Sequence, residues 1–108
     1  MGNTNVDDQT FSGISIDLAN VVAKAEEMRE AAKSLKEESE NIKKEWYAAR
    51  PWEGPAAEQF RAKLIRLSAR LDSEADSLIK TAESLEKAAE RFRKIEEMAK
   101  LVFKGGGQ

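Results

Sequence analysis

Apolar residues recur at seven-residue spacing on both sides of a single break, and this pattern limits what the chain can become. Before the break, Ile14, Val21, Met28, Leu35, Ile42 and Ala49 fall every seven positions. Leu18, Ala25, Ala32, Ser39 and Trp46 follow the first five of them by four. Mostly Glu, Lys, Asn and Ser fill the rest, so an a/d seam runs through an amphipathic helix. After the break, Leu64, Leu71, Leu78, Leu85, Phe92 and Ala99 repeat the spacing, with Phe60, Leu67, Ala88, Ile95 and Val102 in the partner row. Glu74 and Thr81 interrupt that second row, and Ala75 and Ala82 sit beside them. Small residues there predict a close approach of two helices.

The break itself is AARPWEGPAAEQF, residues 48–60. Pro51 pushes Arg50 out of the helical region and ends the first helix. Gly54 followed by Pro55 reads as a cap and a first helical residue. A tryptophan in such a turn is unexpected, because turns favour small polar residues.

The expected fold is all-α: an antiparallel two-helix hairpin that pairs into a four-helix bundle dimer. Residues 1–13 are expected as a flexible arm and residues 14–104 as the hairpin. Helix one is placed at about 15–49, with Ser15 as N-cap and Asp17 in the first turn, and the turn at about 50–54. Helix two is placed at about 55–103, and residues 105–108 form a flexible tail. The expected core or dimer seam is Leu18, Val21, Met28, Leu35, Ile42, Trp46, Phe60, Leu64, Leu67, Leu71, Leu78, Leu85 and Ile95. Two helices alone cover only one side of each stripe, which is why a homodimer or a pair with a related hairpin is expected.

Composition removes several function classes. The 108 residues include no Cys and no His, which excludes disulfides, Cys₂His₂-type zinc sites and Cys or His nucleophile chemistry. Glu37, Glu38 and Glu40, like Glu83, Glu86 and Glu90, are outer helix faces; di-iron bundles require Glu-X-X-His. No glycine-rich phosphate loop is present. We therefore expect no enzyme, no cofactor, no metal and no small-molecule substrate. Net charge is −2 without interleaved aromatics, which argues against nucleic acid. Residues 1–55 carry 7 basic and 11 acidic side chains, and residues 56–108 carry 11 and 9, so the halves have opposite sign. No stretch is apolar enough to span a bilayer, and the N-terminus lacks the basic and apolar regions of a secretory leader.

Two long amphipathic helices joined by Trp52-Glu53-Gly54, in a chain of about one hundred residues, resemble the WXG family of small type VII secretion substrates (Esx-type, early-secreted-antigen-like). The resemblance covers residues 14 to about 102. It implies antiparallel hairpin dimers, export without a cleaved leader after folding in the cytoplasm, and recognition by the membrane ATPase of the secretion machine. It also implies a composite export signal made of the Trp-X-Gly turn on one subunit and a Tyr-X-X-X-Asp/Glu element near the C-terminal end of the other. Trp52 and Gly54 match the turn. In place of the second element stands Phe92-Arg93-Lys94-Ile95-Glu96, which keeps the ring and the acid and lacks the hydroxyl.

Each of these residues also has a plainer role. Trp52 can pack on the start of helix two near Phe60, Phe92 fits the heptad, and Glu96 suits a solvated face. Lys43, Lys44, Arg50, Arg61, Lys63, Arg66 and Arg70 gather near the turn. Those at the start of helix two oppose its dipole, and a solvated face or pairing with acidic helix one is expected for them. Three functions remain open: a type VII substrate exported as a folded dimer, a helical partner or chaperone for a larger exported protein, and an intracellular coiled-coil adaptor with a chance WXG.

Overall fold

A computed structural model describes the backbone of residues 2–106 and the side chains of residues 18–102. Two α-helices make up the chain, α1 (Gly2–Ala48) and α2 (Pro55–Gly106), and no strand occurs among the described residues. The class is all-α, as the heptads require. Ser15 and Asp17 lie inside α1, and their side chains, like those of Ile14 and Phe103, fall outside the described residues. The chain divides into two compact units, one of Glu27–Thr81 and one of residues 1–26 with 82–108.

The Glu27–Thr81 unit is an antiparallel helical hairpin, and small side chains line its seam. Ala32 and Ser39 of α1 are fully buried, as is Ala75 of α2, and Ser68 nearly so. The Ser39 hydroxyl donates to the Ser68 carbonyl at 3.1 Å. One heptad back from Ser39 is Ala32, and one heptad on from Ser68 is Ala75, so the same register serves both pairs. A lone polar contact in an otherwise alanine seam favours one alignment over its one-heptad slips. Outside the seam, Lys36 meets Asp76 at 3.1 Å and Lys43 meets Asp72 at 3.2 Å. These exposed pairs reinforce the register.

In the other unit the same chemistry continues, with Ala25, Ala82 and Ala89 buried. From Ser68 onward the buried row of α2 is Ser68, Ala75, Ala82 and Ala89, each one position beyond the expected Leu67, Glu74, Thr81 and Ala88. The larger residues cannot enter so narrow a contact, because interaxial distance follows the side chains at the crossing. They lie on its flanks instead. Leu18, Val21, Met28, Leu35, Ile42 and Trp46 are half-buried, as are Leu71, Leu78 and Leu85, while Leu64 is buried. Phe60, Leu67 and Ile95 are exposed in this chain.

This packing also alters the protonation of Asp72. The Ser39 hydroxyl, and after it the Lys43 ammonium, hold its carboxyl below the ordinary value of 3.8. Ser39 has one proton and directs it at the Ser68 carbonyl, so Lys43 is the firmer support. The reciprocal contact, with Glu40, raises Lys43 above its ordinary 10.5.

Two outcomes follow from the seam. Ala75→Leu places a branched side chain where none fits, and urea unfolding at fixed protein concentration should show a loss of about 1–3 kcal/mol. For Asp72 the folded value is depressed, so its contribution is present above the unfolded value and is lost as pH falls through the folded one. The stability gap between the parent and Asp72→Asn should therefore be constant near neutrality and shrink on acidification below about pH 4. A gap that does not shrink at all as the pH is lowered below about 4 would show that Asp72 is not held by these contacts.

Candidate functional site

The turn is built from backbone hydrogen bonds that the local sequence dictates. The last α1-type bond runs from the Ala49 N–H to the Glu45 carbonyl at 2.9 Å, and Arg50 tightens onto Tyr47 at 3.2 Å. Pro51 has no N–H to continue the ladder. The Trp52 N–H instead turns back to the Ala49 carbonyl at 3.0 Å. Gly54 has a φ of 106°, and its carbonyl accepts the first α2 bond, from Glu58, at 3.0 Å. A Cβ on Gly54 would meet no atom within 4 Å. Glycine is required there by backbone conformation, not by crowding.

Two consecutive residues of α2 hold the tryptophan. The Trp52 indole stacks on the Phe60 ring with centroids 6.1 Å apart and planes inclined 27°. Both rings stay open to solvent, Trp52 at 59% and Phe60 at 42%. Beside Phe60, Arg61 Nη1 donates to the Ala49 carbonyl at 3.0 Å and to the Trp52 carbonyl at 2.6 Å. Both backbone polar groups of Trp52 are therefore engaged, and the Ala49 carbonyl accepts from Trp52 and Arg61 together. A few residues back, the Arg50 guanidinium lies 4.1 Å from the Tyr47 ring centroid.

This geometry revises the reading of the basic cluster. Arg61 spends its charge on the carbonyls at the C-terminal end of α1, where the helix dipole is negative. Arg70 pairs with Glu74 of its own helix at 3.7 Å. The cross-helix ion pairs at Lys36 and Lys43 run from basic α1 residues to acidic α2 residues, the reverse of the expected direction. Lys43, Trp46, Leu64, Ile65 and Ser68 line an open, largely apolar groove of about 220 Å³. Trp46, expected in the core, forms part of its wall.

The second candidate element lies on α2 in the unit of residues 1–26 and 82–108. Phe92 and Glu96 are one helical turn apart on a shared face. Phe92 is exposed at 51% and Glu96 is half-buried.

Residues 13–97 match the WXG100 family, described as proteins of 100 residues with WXG. The chain belongs to this family. No curated protein and no solved structure matches it. WXG100 proteins are small helical type VII secretion substrates that pair with one another or with related proteins, and they are not known for catalysis. A match extending over both heptad segments also removes the ground for reading the Trp-X-Gly as chance in an unrelated coiled coil. Among the described residues no helix is long and apolar enough to cross a membrane.

The Trp-X-Gly turn here combines a glycine at positive φ with a tryptophan stacked on the following helix. Gly54→Ala should cost about 1–3 kcal/mol in urea unfolding through backbone strain alone. An unchanged midpoint would mean that the turn reaches the same path without positive φ.

Proposed function

We propose that this chain is exported by a type VII machine as a folded dimer, with Trp52 and Gly54 as part of the export signal. The observation that carries this reading is the exposed yet immobilised Trp52. A structural tryptophan is normally drawn into the core. This one keeps most of its surface in water while ring and backbone are both held, which is how a recognition group is displayed. Phe92 and Glu96 serve as the C-terminal element, with the aromatic ring and the acid retained. The ATPase of the secretion machine is the partner that reads the signal, and the exported protein is extracellular.

Dimerisation is supported by the flanking residues. Burying a leucine-sized side chain fully contributes about 1.5–3 kcal/mol, and many of those beside the alanine seam are only half covered within one chain. A second hairpin laid along them completes a four-helix bundle. A related hairpin could supply that face as well as a second copy, and Phe92 gives this variant a specific basis. A partner that carries a tyrosine would provide the missing hydroxyl, and the chain would then act as helical partner to a larger exported protein.

The test is release into the medium. A tagged copy in the native host should appear in culture supernatant only when the type VII ATPase is present, with a cytosolic marker controlling for lysis. Trp52→Ala, verified as helical and of dimeric mass by light scattering, should lower release by about tenfold, equivalent to about 1.4 kcal/mol of recognition. Undiminished release of the folded variant would remove the turn from the export signal.

A further inference from the structure

The geometry points to Arg61 as the positioning residue of the Trp52 display, an inference that rests on the export reading above. Arg61 touches no candidate partner. It acts through the main chain of Trp52. One of its nitrogens bridges two carbonyls that belong to different parts of the turn, Ala49 at the end of α1 and Trp52 itself. Nη1 carries two hydrogens, so each carbonyl receives one. The bond at 2.6 Å to Trp52 is short, as charge-assisted hydrogen bonds are.

Three features make the contact more than an incidental cap. First, the Trp52 N–H is already tied to the Ala49 carbonyl, so Arg61 closes a small ring of contacts around the Ala49–Trp52 turn. The Trp52 Cα is fixed from both sides, leaving only the side-chain torsions free. Second, the neighbouring Phe60 ring limits those torsions by stacking. Residues 60 and 61 thus divide the task, one holding the ring and the other the backbone. Third, the contact places a cation on the Ala49 carbonyl at the end of α1, where the helix dipole is negative and favours one.

Both contacts come from one nitrogen, so lysine is the poorer residue here because its ammonium is a strongly hydrated point charge, whereas the guanidinium is weakly hydrated and gives up water for carbonyls more readily. The surrounding basic side chains do not share the role: Lys43 engages Asp72 and Glu40, and Arg70 engages Glu74.

Fluorotryptophan incorporated into the full-length protein gives two fluorine resonances, assigned with Trp46→Phe. In Arg61→Gln, helix content by circular dichroism should match the parent. The Trp46 resonance should hold its position, while the Trp52 resonance should shift and sharpen as the indole leaves Phe60. ATPase-dependent release should fall severalfold, toward the level of Trp52→Ala. Arg66→Gln removes the same charge from the same helix and should change neither readout. Should Arg61→Gln fail to fold, Arg61→Lys should move the Trp52 resonance in the same direction by a smaller amount. An unmoved Trp52 resonance in a folded Arg61 variant overturns the proposal. So does full release from Arg61→Gln when Trp52→Ala is retained, and so does an equal loss from Arg66→Gln. If Trp52→Ala is itself released normally, the export reading fails, while a shifted resonance in Arg61→Gln still upholds Arg61 as the residue that positions Trp52.

Discussion

Close contact between alanine and serine rows sets the terms for everything else in this chain. Ala32, Ser39, Ser68 and Ala75, with Ala49, Ala57 and a single leucine, Leu64, in one unit, and Ala25, Ala82 and Ala89 in the other, take the buried positions. Alanine loses no side-chain entropy on burial, so the seam is inexpensive to order. It also buries little apolar area per residue, so it contributes little by hydrophobic transfer. Stability has to come from the leucines, isoleucines and aromatics on the flanks, which a single chain covers only in part. Such a seam is registered by the Ser39–Ser68 bond and leaves apolar flanks that the two helices only half cover.

The turn obeys a separate constraint. Its path is fixed by residues that are individually unremarkable: Pro51 withholds a donor, Gly54 takes a positive φ, and Pro55 opens α2. None of them explains why a tryptophan stands between them. The explanation lies outside the turn, in Phe60 and Arg61 on the first turns of α2. The motif is best regarded as five residues, Trp52, Gly54, Phe60, Arg61 and the carbonyl of Ala49, rather than as three letters.

Much of this is legible in the sequence, and the gaps have physical causes. The α1 rows were readable because every fourth and seventh residue is apolar or small and the intervening ones are charged. The turn is readable from its prolines and glycine, and packing of Trp52 on the start of α2 near Phe60 is the plainer of the two roles expected for it. The buried row of α2 was harder. Hydropathy ranks Leu67 and Ile95 above Ser68 and Ala89, whereas a close helix contact ranks them by size. Only Ala75 and Ala82 beside the interrupted row signalled that size would decide. Arg61 was harder still. Its acceptors are main-chain carbonyls, which no side-chain pattern reveals, and its charge blended into a basic cluster. The available signal was its place, a cation close in sequence to the carbonyls that end α1, where the dipole favours one.

Placing a recognition group on such a turn has an energetic logic. An interface side chain that must be ordered on binding forfeits about 0.5–1.5 kcal/mol of affinity. Trp52 is ordered beforehand, by a ring on one side and a charge-assisted hydrogen bond to its carbonyl, so little of that cost remains when a partner arrives. The exposed indole area stays available for burial against the partner, where tryptophan is among the most effective anchors. Within the export reading, the signal is consequently a property of the folded hairpin. An unfolded chain contains the same letters, but in it nothing brings Arg61 to the carbonyls of Ala49 and Trp52 or Phe60 to the indole. A machine that reads this turn reads folded protein, and the seam that folds the hairpin is then a precondition of recognition rather than a passive scaffold for it.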